Sequence, residues 1–376
     1  MNPSQQSNPL RELARLGQSV WLDDIRRGWL QDGTLTRLIE DDGLAGLTSN
    51  PAIFAKSIET GREYESEIGT LARQGLTPGA IYETLALEDV RAAADLLRPV
   101  YEGWDGGDGF VSLEVSPHLA DDTTATLQEA RRLWRAFDRP NAMIKVPGTS
   151  AGLAAIQALI TEGINVNVTL LFGLARYGEV VHAFMSGLEQ RAKNAAPLER
   201  VASVASFFVS RIDTLADARL DALGTEQARE LRGKAATASA QLAFDAQREW
   251  IAGDRWKRLA ARGARPQRLL WASTSTKDPT YPDTKYVEAL IGPRTVNTMT
   301  RSTLDAYRDH GEPRVRVTDD LDRARAALAG LRQLGIDPEE VSRQLEREGV
   351  RKFTEPFDEL QATLERRARE VGAHVR

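Results

Sequence analysis

Short apolar runs, most of them ending in a polar or charged group, recur along the chain, separated by longer stretches with helical spacing. They lie at 19–23 (SVWLD), 43–51 (GLAGLTSNP), 109–117 (GFVSLEVSP), 142–148 (AMIKVPG), 164–172 (INVNVTLLF), 200–211 (RVASVASFFVSR), 268–277 (RLLWASTSTK) and 293–300 (PRTVNTMT). Their lengths and β-type content predict eight strands. Between them, TSAGLAAIQALITEG predicts a helix with Thr149 or Ser150 as N-cap and Gly163 as stop, and 215–248 is a long helical stretch. Eight strands alternating with helices is the count of a closed parallel (β/α)8 TIM-type barrel. No linker divides the chain, so 1–376 is read as a single barrel domain. Within it, 1–7 form a mobile tail and 318–370 supply additional C-terminal packing helices. The Gly-rich WDGGDG (104–109) precedes a strand and opens no helix, which predicts a turn and not a phosphate loop.

The ends of these runs carry the candidate chemistry: Asp23, Asn50, Glu114, Lys145, Asn167 with Thr169, Ser206 with Arg211, Ser275 with Lys277, and Asn297. In a parallel barrel all strand C-termini meet at one face, where barrel enzymes hold their active sites. In INVNVTL the polar Asn165, Asn167 and Thr169 alternate with apolar residues. The outer face of a parallel barrel packs against helices, so this polar face is expected to line the interior. Any one polar residue could simply mark a strand end; the joint pattern carries the weight.

Composition narrows the chemistry. With 376 residues, 41% hydrophobic and 27% charged, the chain buries a substantial core, which excludes disorder. The absence of cysteine removes disulfides and thiolate nucleophiles, and the four histidines (His118, His182, His310 and His374) have no paired ligand spacing, so no metal is expected. The 49 basic and 54 acidic residues are mixed along the chain, net charge −5, which speaks against nucleic acid. No apolar run approaches the ~18 residues of a membrane span, and MNPSQQSNPL lacks the features of an export signal. A cytoplasmic enzyme that avoids membranes is the expectation.

Lys145 is the sharpest single signal, because only 8 of the 49 basic residues are lysines and this one sits inside an apolar run. Lysine is rarely buried without a partner, and a desolvated lysine becomes a neutral amine that attacks carbonyls. A purely structural Lys145–Glu114 ion pair is the competing reading. Glu114 and Asp23 offer two carboxylates for two separate proton transfers, as Schiff-base chemistry requires. Arg211, Ser275 and Lys277 suit a phosphate dianion.

The blocks LTSNPAIF (47–54), SLEVSP (112–117), MIKVPGTSAGLAAI (143–156), EGINVNVTLLF (162–172) and SFFVSRID (206–213) resemble those of transaldolases, over essentially the whole chain. EGVRKFTEPFDELQATLE (348–365) is similar to the closing helix of the long bacterial form. The resemblance implies a barrel with the Schiff-base lysine on the fourth strand, the strand that holds Lys145. It implies Glu114 as acid/base acting through a water, Thr169 as that water's partner, and Asp23 as acid/base at the cleaved bond, with Asp24 the rival if the alignment slips by one. Asn50 and Asn167 would hold the hydroxyls of a three-carbon fragment, with Ser206 beside them, and Arg211 would bind phosphate. Ser275 and Lys277 carry over less directly, since STSTK departs from the serine and arginine of many relatives. Phe208 stands where related fructose 6-phosphate aldolases place a tyrosine, which favours transfer over release.

The implied activity is reversible transfer of a dihydroxyacetone unit in the non-oxidative pentose phosphate pathway. The donor is a ketose phosphate (sedoheptulose 7-phosphate or fructose 6-phosphate) and the acceptor an aldose phosphate (glyceraldehyde 3-phosphate or erythrose 4-phosphate). No cofactor is implied, and monomer and homodimer are both left open. The alternatives are an aldolase that releases free dihydroxyacetone and a barrel that binds sugar phosphates without catalysis.

Overall fold

The structure, a computed structural model, describes residues 8–373, so the predicted tail at 1–7 lies outside the described residues. Its centre is a closed barrel of eight parallel strands: β1 (Gln18–Asp23), β2 (Gly46–Thr48), β3 (Phe110–Glu114), β4 (Ala142–Pro147), β5 (Val166–Leu171), β6 (Ser203–Phe208), β7 (Arg268–Ala272) and β8 (Thr295–Met299). Neighbours pair in chain order, and β8 closes the ring against β1. Seven of the eight predicted runs contain their strand, the run 19–23 starts one residue inside β1, and most run past the strand's C-terminal end, because the chemistry-bearing residues there continue into loops and helices. The run 200–211, for instance, joins β6 to the first turn of helix Ser210–Leu223.

The helix after β4 spans Ser150–Glu162. Thr149 caps it by accepting the Gly152 N–H at 3.1 Å, and Gly163 ends it with a φ of 86°, a left-handed turn that glycine adopts without steric cost. The helical stretch 215–248 is divided among three helices, Ser210–Leu223, Glu226–Leu231 and Ala235–Ala252. Gly224 and Gly233, both at φ 66°, interrupt it. WDGGDG forms turns, as expected. Its Asp108 is buried at the N-terminal mouth, where it accepts from Trp21 Nε1 (2.8 Å) and Arg268 (3.1 Å). After β8 and its helix, Leu321–Gln333 and the 36-residue Pro338–Ala373 complete the described residues. Helix Pro338–Ala373 lies across the C-terminal mouth. A side chain at Gly349 would come within 2.9 Å of Leu170 Cδ2, so the glycine lets the helix settle onto the end of β5.

The two-residue repeat of a strand decides which side chains see the axis. Glu114, Lys145 and Asn167 are register mates on β3, β4 and β5, and Asp23 pairs with Thr48. One layer lower, Trp21, Ser112 and Met143 share the same face. On β8 that face belongs to Thr298, which pairs with Trp21, and not to Asn297. Asn297 therefore drops out of the converging strand-end set. It is buried on the other face and accepts a hydrogen bond from Thr274 (2.9 Å). Asn165 precedes β5 and does not line the interior: its amide donates to Ala142 O (3.0 Å) and accepts from Ala202 N (2.8 Å), tying the starts of three strands together. Among the described residues no helix is long and apolar enough to cross a membrane, and no cluster of three or more histidine or acidic side chains could hold a metal.

Candidate active site

Lys145, four residues into β4, is 3% exposed. Its Nζ lies 3.2 Å from Glu114 Oε2 and donates to Ser49 O at 3.2 Å. Burial pushes the Glu114 carboxyl up to about 6, against the pull of Lys145. Beyond the contact with Lys145, the protein offers the Glu114 carboxylate no well-aligned hydrogen bond, and the buried Thr169 hydroxyl is likewise without a protein partner. Neighbouring strands thus present an amine, a carboxyl held near neutrality and a free hydroxyl.

Above Lys145 opens a cavity of about 150 Å³. Asp23, Asn50, Ser206, Phe208, Arg211, Ser275 and Lys277 all line it, together with Thr48, Thr298 and Phe353. Burial raises the Asp23 carboxyl, opposed first by Lys145, then by the Thr48 hydroxyl, which donates to Oδ1 at 2.7 Å, and then by Arg211 and Lys277. Asp24, the rival, is off the cavity wall and faces Arg26 at 3.3 Å. Asn50 caps helix Pro51–Thr60 by accepting the Ile53 N–H (3.0 Å), which spends its carbonyl and leaves its amide N–H groups for a ligand.

Asn167 is fully buried beneath the cavity wall. It donates to Ser112 Oγ (3.0 Å) and accepts from Ser206 Oγ (2.7 Å), which fixes the Ser206 hydroxyl at the wall. At the other end, Arg211, at the start of helix Ser210–Leu223, has a buried Nη1 without a hydrogen bond. Burial lowers both Arg211 and Lys277, and the two cations repel each other across the cavity, lowering Lys277 further. Lys277 donates to Ser275 Oγ at 2.8 Å. Two cations held at this cost, with donors to spare, form a cradle for a dianion.

The sequence reading missed three contributors. Thr48 and Thr298, whose hydroxyls are 2.7 Å apart, complete the wall behind Asp23. Their place in the alternation of β2 and β8 was the available signal. Phe353 comes from a helix more than two hundred residues after Lys145, and only the three-dimensional structure brings it there. A larger cavity, about 610 Å³, opens at the opposite mouth between Trp21, Phe110 and Met143. None of the predicted site residues lines it, and its Ser19, Trp21 and Arg268 all donate to Asp108, so the smaller cavity is the candidate active site.

A parallel barrel with a buried lysine–carboxylate pair under a cation-rimmed cavity defines an enzyme of the (β/α)8 class. A family profile described as "Transaldolase/Fructose-6-phosphate aldolase" matches residues 20–364. The chain is 49% identical to a transaldolase of Thermobifida fusca over 98% of this chain and 100% of that protein. It is 50% identical to one of Acidothermus cellulolyticus over 97% and 100%, and 49% identical to one of a Parafrankia species over 95% and 97%. The chain belongs to the transaldolase/fructose-6-phosphate aldolase family, and its activity is that of an enzyme transferring aldehyde or ketone residues.

Proposed function

We propose that Lys145 attacks the ketone of a ketose phosphate whose phosphate is held by Arg211, Lys277 and Ser275. Only an uncharged amine is nucleophilic, and the buried carboxyl 3.2 Å away is placed to take its proton. Glu114 then returns a proton, through a water shared with Thr169, as the carbinolamine loses its hydroxyl and the iminium forms. The iminium draws electrons from the bond between the third and fourth carbons while Asp23 removes the proton of the hydroxyl on the fourth carbon, which becomes the aldehyde. An aldose phosphate departs, and the three-carbon enamine stays on Lys145. Asn50 and Ser206, the latter fixed by Asn167, hold its hydroxyls until an acceptor aldose phosphate arrives and the steps reverse.

The Lys145–Glu114 pair carries this reading. Desolvating two charges costs several kcal/mol each, and their attraction roughly offsets that, so such a pair adds little net stability over apolar residues of the same volume. Chemistry is the better reason to hold it under an open cavity. Phe208 supports transfer over release, since its ring has no proton to give the enamine, and the relatives are named transaldolases. Sugar phosphates as substrates, the pentose phosphate pathway and a cytoplasmic setting follow from the same reading. Incubation with fructose 6-phosphate, reduction with borohydride and peptide mapping is expected to place the mass gain on Lys145. An adduct on Lys257 or Lys285, or none, would overturn the assignment.

A further inference from the structure

The terminal helix Pro338–Ala373 does more than cover the barrel. Phe353, 5% exposed, lines the cavity, and its ring centre lies 5.5 Å from Lys145 Nζ. The same ring packs on Phe208 (centroids 6.5 Å apart), which packs on Phe172 (5.3 Å) at the end of β5. Two contacts fix the helix on either side of Phe353. Gly349, one turn earlier, seats against Leu170 and Phe172, and Phe357, one turn later, meets Tyr82 edge to face at 5.5 Å, 87°. Asp358 adds a contact with His118 at 2.7 Å. The ring is thus held rigidly over the amine, on the side where a three-carbon fragment attached to Lys145 must stand.

We infer that Phe353 is a specificity-determining residue: it decides whether the three-carbon intermediate is transferred or released. This rests on the Schiff-base reading of Lys145. Release requires a proton on the enamine carbon, and then one water added across the C=N bond, which frees dihydroxyacetone and returns the amine. An aromatic face over the nitrogen opposes the first step, which is the one that belongs to release alone. It supplies no proton, and it occupies space that a proton-carrying water would otherwise take. Hydrolysis of the C=N bond ends both routes, but an aldehyde acceptor forms its carbon–carbon bond at the enamine carbon and needs no proton there, so transfer proceeds.

The test uses the full-length enzyme and the variants Phe353→Ala and Phe353→Leu. Free dihydroxyacetone formed from fructose 6-phosphate is compared with transfer to erythrose 4-phosphate, and borohydride trapping at Lys145 is run in parallel. The ratio of release to transfer is expected to rise about tenfold in Phe353→Ala and by a smaller factor in Phe353→Leu, with the Lys145 adduct retained in both. An unchanged ratio in a folded variant would overturn the inference. If Phe353→Ala does not fold, Phe353→Leu alone decides it. Loss of the adduct in the unmodified enzyme would instead defeat the Schiff-base reading, a separate outcome.

Discussion

Glu114 and Lys145 are register mates on adjoining strands, and their charged ends stand 3.2 Å apart where both residues are buried. The ionised Glu114 carboxylate is placed to take the proton that the amine must lose before it attacks. Burial lifts the Glu114 carboxyl to about 6, so below that pH the carboxyl is already protonated and cannot take the proton of the amine. The expected kcat/KM falls on the acid side of about pH 6. In Glu114→Gln that limb should disappear, and imine formation should slow by a factor on the order of 10² to 10⁴, the usual worth of a general acid–base group. A pH profile of borohydride trapping checks both.

Asp23 lines the cavity while Asp24 turns to Arg26, which favours Asp23 over Asp24 for the proposed proton transfer at the cleaved bond. Replacing Asp23 with asparagine keeps the hydrogen bond from Thr48 and removes the base. Steady-state kcat should drop by about 10²-fold or more, whereas the imine with fructose 6-phosphate should still form and be trapped. The same change at Asp24 should leave kcat within a few-fold. Rapid-quench measurement of imine formation beside the overall rate separates the two steps.

How much of this the sequence discloses depends on the range of the interaction. The strands are legible because β-type runs closed by polar residues are a local pattern, and Lys145 stands out for the same reason. Strand ends are less so: Asn50 and Arg211 open helices, yet their blocks read as continuations of strands. Parity within β8 was misread because TVNTM places three polar residues in a row of five, and only pairing with β1 shows that Thr298 takes the inner face. Phe353 is invisible in principle. An apolar residue on an amphipathic helix reads as core packing, and nothing nearby says that the core it meets is a lysine on β4.

Arg211 Nη1 is buried without a hydrogen bond, and Lys277 is lowered by burial and by Arg211 itself. A phosphate dianion bound between them, as proposed, would relieve both strains. Arg211→Gln should therefore raise KM for fructose 6-phosphate by about tenfold to a hundredfold, in line with ~1.5–3 kcal/mol for a charge-assisted hydrogen bond. Unphosphorylated fructose should be handled alike by both forms. A KM effect of equal size on the two sugars would place the phosphate elsewhere.

Gly152, in the first turn of the helix that follows β4, sits where the chain doubles back on Pro147. An ideal Cβ there would lie 2.0 Å from Pro147 O, a backbone atom at the end of the strand that carries Lys145. Alanine is intrinsically favoured in a helix by about 1 kcal/mol over glycine, so Gly152→Ala on an open helix would stabilise. Here the clash decides the sign: a backbone carbonyl cannot rotate away as a side-chain tip would, and either the helix or β4 must move. Gly152→Ala is expected to lower stability by about 3 kcal/mol, the upper end of overpacking costs. Because the displaced atoms lie two residues from Lys145, trapping should weaken as well. Urea unfolding read beside the rate of adduct formation checks it. Gly178, where an added Cβ meets nothing within 4 Å on helix Leu174–Lys193, is the control, and its alanine variant should be neutral or slightly more stable.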